Sequence, residues 1–120
     1  MLHELKYDEE NAIVVLVFKY HFLQIDVEPL FIKVKEMLEG KQIRQMLVVM
    51  SDGHNVENRE TREATSEQLS KLKMTEVAFV GGSAANRMIA RVLMKTGIVK
   101  LNGDFFKDYE DAVNWLKSKR

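Results

Sequence analysis

The residues of this chain best suited to chemistry fall in two short stretches. Ser51, Asp52 and His54 are the types of a nucleophile, an acid and a base, and Asn55, Asn58 and Arg59 follow them. Adjacency in sequence does not supply the convergent geometry that catalysis needs, so this stretch reads as a polar turn leading into a helix. The second stretch is Gly81-Gly82-Ser83, with Asn86 and Arg87 just beyond. It has neither G-x-G-x-x-G spacing nor the Lys-Ser/Thr ending of a phosphate loop. Backbone N–H groups at a helix start beside Gly-Gly-Ser, reinforced by Arg87, suit a phosphate or carboxylate; a tight strand-to-helix turn with a serine cap uses the same residues. His3, His21 and His54 are scattered without metal-ligand spacing, and the chain has no cysteine, so neither a metal nor another cofactor is expected. Glu57, Glu60, Glu63 and Glu67, with Arg59 and Arg62, read as the solvated, internally paired face of a helix rather than a general acid and base. The expectation is a binding protein and not an enzyme, with Asn58, Arg59, Gly81, Gly82, Ser83, Asn86, Arg87 and Arg91 as the candidate partner- or ligand-binding residues.

Those two stretches meet only if the elements around them form a parallel sheet. Residues 2–7 and the β-branched run 12–18 flank the turn cluster Asp8-Glu9-Glu10-Asn11 and predict a hairpin. The second strand has no polar alternation and belongs inside the sheet; the first, with Glu4 and Lys6, belongs at the edge. Asp26 is placed to cap a helix carrying Val27, Leu30, Phe31, Val34 and Leu38, with Pro29 in its first turn and Gly40 at its end. Residues 46–50 predict a buried strand. Asn58 then caps a polar helix to about Lys73 in which Ala64, Leu69 and Leu72 are the main apolar residues. Residues 77–80 form the next strand, followed by a helix with Met88, Ile89, Val92 and Leu93 on one side. Residues 99–101 make the last strand. Asn102-Gly103-Asp104 is a loop, and Asp108 caps a closing helix with Ala112, Val113, Trp115 and Leu116 on its buried face. The predicted order is ββαβαβαβα over residues 1–120 as a single domain: an α/β fold with a mixed, mostly parallel five-stranded sheet and about four helices. In such a sheet the loops after residues 50 and 80 share one end, where ligands usually bind.

Composition narrows the partners. The 120 residues carry 18 Lys and Arg against 18 Asp and Glu, which excludes a generally basic protein that grips nucleic acid with its whole surface. The balance is uneven: residues 1–40 hold four basic and eight acidic groups, and no acidic residue occurs between Glu76 and Asp104. Within that acid-free stretch Arg87, Arg91 and Lys95 are spaced i, i+4, i+8 and line one helical stripe, either a solvent face or a seat for an anionic ligand. The longest apolar run, residues 12–18, is far short of the roughly 20 a membrane helix needs, and the N-terminus lacks the order of a secretion signal. With no disulfide framework, the expected place is the cytoplasm.

The segment Phe105-Phe106-Lys107-Asp108-Tyr109-Glu110-Asp111-Ala112-Val113-Asn114-Trp115-Leu116 resembles the closing motif of the SpoIIAA-like proteins: phenylalanine, a short acidic stretch, then Ala-x-x-Trp-Leu. These small bacterial domains share a fold with STAS and CRAL-TRIO lipid-transfer domains. The resemblance implies a STAS-like domain that acts by binding. Anti-sigma-factor antagonists of that type carry an Asp-Ser-Ser/Thr-Gly phosphorylation motif at the helix after the central strand, and Val56-Glu57-Asn58-Arg59-Glu60-Thr61 does not match it. The expected partners are a protein or, alternatively, a small molecule or lipid whose apolar part lies against the sheet and whose anionic head sits near Arg87 and Arg91. A homodimer is open to the chain through an edge strand or the Arg87 helix.

Overall fold

Continuous apolar runs need cover on both faces of a sheet, and the chain provides it. The computed structural model describes residues 3–50, 58–82 and 102–120. Strands β1 (Glu4–Asp8) and β2 (Ile13–Val17) form an antiparallel hairpin. Helix α1 (Gln24–Leu38) leads to β3 (Gln45–Met50), helix α2 (Arg59–Lys71) to β4 (Glu76–Gly81), and β5 (Asn102–Phe106) precedes helix α3 (Tyr109–Ser118). The sheet order is β1-β2-β3-β4-β5, parallel from β2 onward. Alternate residues of each strand enter two cores. Val14, Leu16, Met46, Val48, Val77 and Phe79 pack beneath α1 and α2, while Ile13, Val15, Leu47 and Ala78 pack against Ala112, Val113 and Leu116 of α3. A residue with period two therefore meets helices whichever way it points, which is why β2 and β3 read as unbroken apolar runs.

Three details differ from the expectations. Among the described residues there are three helices, not about four; the one expected around Met88–Leu93 lies outside them, as do residues 99–101. The final strand includes Asn102-Gly103-Asp104, read above as a loop. Parallel pairing from Glu76↔Asn102 to Val80↔Phe106, with Phe105 stacked on Phe79, overrides the poor strand propensity of those three residues. Helix α1 begins three residues before the expected start. Leu23 is its N-cap, and Asp26, in the first turn, accepts the Leu23 N–H at 2.9 Å. Pro29 consequently sits in the second turn, where it leaves the carbonyl of Ile25 without a helical donor. Ile25 is 78% exposed, so water can reach that carbonyl.

Helix α2 packs on α1 through an unusually polar contact face. Thr61 and Ser66 are fully buried beside Leu69. Their small side chains allow close approach, and the Asn58 side-chain Oδ1 caps the helix by accepting from the Thr61 N–H at 2.8 Å and the Thr61 hydroxyl at 2.7 Å. Asp108 caps α3 in the same manner through the Asp111 N–H, as the sequence predicts.

Candidate functional site

The C-terminal ends of the parallel strands bring Phe18, Met50 and Gly81 to one level. The Phe18 N–H donates to the Val49 carbonyl at 3.1 Å, extending the β2–β3 ladder, and Met50 pairs with Gly81. Gly81 has φ +78°, and a Cβ there would stand 2.6 Å from the Met50 carbonyl oxygen. Gly82 follows with φ +88°. The two glycines are thus explained by the backbone path away from the sheet. Of the remaining candidates, Asn58 is engaged as a cap. Arg59, its side chain 79% exposed, donates from Nε to Glu63 at 2.9 Å, and Lys71 pairs with Glu67 one turn further on. Ser51, Asp52, His54, Asn55 and Glu57, and likewise Ser83, Asn86, Arg87, Arg91 and Lys95, lie outside the described residues. The structure therefore brings Asn58 and Arg59 to the same end of the sheet as Gly81 and Gly82.

A second group at this end was not legible in the sequence. His3, next to the start of β1, is a core residue with its side chain 0% exposed. It stacks on Tyr20 with ring centroids 4.1 Å apart and lies 5.3 Å from Phe18 and 5.5 Å from Phe22. Its Nδ1 accepts the Lys19 N–H at 3.3 Å, so Nε2 carries the proton that points to Asp26 Oδ2, also at 3.3 Å. The Tyr20 hydroxyl donates to Asp26 Oδ1 at 2.7 Å. Burial by itself pushes the Asp26 carboxyl up, but the hydrogen bonds from Leu23, Tyr20 and His3 outweigh it and hold the group below the usual carboxylate range. The same bond to Asp26, with burial and the nearby charge, pushes the Tyr20 phenol up.

This cluster joins β1, the exit of β2 and the first turn of α1 through one carboxylate. A His–Asp pair resembles the orienting half of a hydrolytic triad, yet here both ring nitrogens of His3 have partners and the ring is closed off by aromatic side chains. Its effect is positional. The negative charge on Asp26 also lies in the first turn of α1, where the helix dipole favours it. His3, beside β1, and Gly81, at the end of β4, are three strands apart in the sheet, roughly 14 Å at one strand spacing each. No sequence signal marks the cluster, because His3 and Asp26 are far apart along the chain and become neighbours only through the β1–β2 pairing. Among the described residues, no three His, Asp or Glu side chains are grouped to hold a metal ion, and no helix is long and apolar enough to cross a membrane.

The mixed sheet, with β1 antiparallel at its edge and helices on both faces, is a SpoIIAA-like fold. A crystal structure of an uncharacterized DUF3478-family protein with a SpoIIAA-like fold, from Shewanella loihica PV-4, superposes with a TM-score of 0.65 over 95% of this chain and 91% of that one, at 14% identity. The sequence model of the family described as "Domain of unknown function (DUF7793)" matches residues 7–120, and the chain belongs to that family. No curated protein matches the sequence significantly.

Proposed function

We propose that this chain is a non-enzymatic, cytoplasmic regulatory or interaction domain that meets a protein partner with its strand-end loops and the adjoining start of α2. The observation that carries this reading is the state of the polar groups at that end. Among the described residues there, His3, Tyr20 and Asp26 satisfy one another, Asn58 is bound to Thr61, and the charged surface of α2 beginning with Arg59 and Glu60 faces outward. Groups arranged this way support recognition of a surface rather than bond-making on a substrate. The SpoIIAA-like fold agrees with a binding role only at the level of architecture.

The test is capture of a partner from native lysate by the wild type and by Arg59→Glu and Arg87→Ala. Both substitutions are expected to weaken capture while leaving the thermal midpoint in place; capture unchanged by either one rejects this surface. A second reading rests on the acid-free run containing Arg87, Arg91 and Lys95: an apolar ligand with an anionic head. Native mass spectrometry of freshly purified protein and flotation with anionic liposomes at low salt test it. Recovery of a bound lipid favours this reading, and neither ligand nor flotation removes it.

A further inference from the structure

The opposite end of the sheet, where β3 and β4 begin, holds an open groove of about 660 Å³ between the C-terminal ends of α1 and α2. Its lining is lopsided in charge. Lys35, Arg44, Lys71 and Lys73 face it, against Glu36 and Glu39, and Ile32, 50% exposed, supplies an apolar wall. Part of that positive charge has a structural role. Arg44 donates to the Leu72 carbonyl at 3.0 Å and reaches the Leu38 carbonyl at 3.5 Å, satisfying both helix ends, and Lys71 pairs with Glu67. Lys35 and Lys73 have no ion-pair partner among the described residues.

Lys73 is the informative member. Helix α2 ends in a Schellman arrangement: the Met74 N–H donates to the Leu69 carbonyl at 3.1 Å and the Lys73 N–H to the Ser70 carbonyl at 3.0 Å. Lys73 occupies the left-handed position of that motif, with φ +58°. Glycine is favoured there, and α1, ending across the same groove, does have a glycine, Gly40 at φ +75°. A lysine held in a conformation that glycine adopts without strain, with its ammonium beside a cationic groove, points to a requirement for the charge rather than the backbone.

We propose that this groove docks an acidic peptide segment of a protein partner, with an apolar side chain of the peptide against Ile32 and its carboxylates near Lys35 and Lys73. Charge complementarity selects the occupant, and the open form of the groove suits an extended segment. The proposal does not depend on the strand-end surface: Arg59→Glu probes one end of the sheet and Lys73→Gly the other.

The test is fluorescence anisotropy at low salt with a labelled short peptide of aspartates and glutamates interrupted by two leucines, alongside its asparagine and glutamine counterpart. Lys73→Gly is expected to bind ~2- to 5-fold more weakly, the scale of one exposed charge pair, although its thermal midpoint equals or exceeds that of the wild type. Lys35→Glu combined with Lys73→Glu is expected to lose about tenfold or more, and Ile32→Ser to weaken binding without changing its salt dependence. Amide shifts on titration should centre on Ile32, Gly40, Arg44 and Lys73. No binding of the acidic peptide, equal binding of its uncharged counterpart, wild-type affinity in Lys73→Gly, or preference for phosphatidylserine vesicles over the peptide overturns the proposal.

Discussion

Replacing Asp26 by asparagine removes one negative charge from a buried point where three donors converge, while keeping the shape of the side chain. The Leu23 N–H, the Tyr20 hydroxyl and His3 Nε2 lie 2.9, 2.7 and 3.3 Å from its oxygens. Asparagine offers one acceptor oxygen and sets an amide N–H₂ where the other carboxylate oxygen accepted, so at least one donor loses its partner. A hydrogen bond to a charged group contributes about 1.5–3 kcal/mol, and a stranded buried donor costs about 1–3 kcal/mol. Loss of the charge from the first turn of α1 adds about 0.3–1 kcal/mol. These contributions overlap within one network, so the expected destabilisation near neutral pH is about 2–4 kcal/mol, a large share of the roughly 5–15 kcal/mol of a domain this size.

The deficit of Asp26→Asn must also fade in acid. The folded-state pKa of Asp26 is held below its ordinary 3.8. A group lowered in this way contributes stability that is fully present above the unfolded value and lost as pH falls through the folded one. Wild type and variant should therefore converge once the carboxylate is protonated. The groups facing Asp26 are His3 and Tyr20, and the exposed Lys19–Glu4 pair lies at the same end of β1. Lys19 and Glu4 are present in both proteins and largely cancel, so the difference between their urea transitions reports Asp26 together with its bonds to His3 and Tyr20. Measured from pH ~7 to ~3, the difference should shrink steadily below about 4. A deficit under about 0.5 kcal/mol at neutral pH, or one that stays constant across the series, refutes the reasoning.

Other perturbations have equally definite outcomes. Gly81→Ala places a methyl against the Met50 carbonyl and forces φ +78° on an L residue; urea melts should show a loss of about 2–3 kcal/mol. Asn58→Ala removes the acceptor of two Thr61 donors and should lower stability by about 1 kcal/mol, with earlier amide exchange in the first turn of α2. Tyr20 is pushed above its ordinary 10.0 by its bond to Asp26, burial and that charge, and Tyr109 by burial, its 2.7 Å bond to Asp8 and the Asp8 charge. Raised phenols contribute stability that is present below the unfolded value and lost as pH rises through the folded one. Alkaline titration should accordingly show a late tyrosinate absorbance step accompanied by loss of helical circular dichroism, and Tyr20→Phe should reduce the late amplitude. Leu116→Ala, at a fully buried position in the α3 core, should cost about 2–5 kcal/mol.

Much of the architecture was readable because its signals are local. The unbroken apolar run 12–18, the helical spacing of Val27, Leu30, Phe31, Val34 and Leu38, and the caps Asn58 and Asp108 depend on neighbours a few residues away. The errors arose where distant pairing decides. Asn102-Gly103-Asp104 looks like a turn by propensity and becomes strand because β4 supplies a ladder. Asp26 looks like a cap by type, whereas the true start of α1 depends on Leu23 and on the donors that β1 and Tyr20 bring to the carboxylate. Of the candidate site, the glycines and the cap at Asn58 were legible as backbone devices, and the His3 cluster and the groove beside Lys73 were not.

By itself, then, the sequence determined the class of fold, the order of its elements and the division of apolar residues between two faces, because hydrophobic periodicity and capping act over a turn or a strand. Only the tertiary structure decided which polar residues are partners. His3 and Asp26, Gln45 and Glu76, and Arg44 with the ends of both α1 and α2 are joined across long stretches of chain. Such pairings follow from strand register and helix packing, and a carboxylate or guanidinium reads the same in sequence whether it ends in water or in the core.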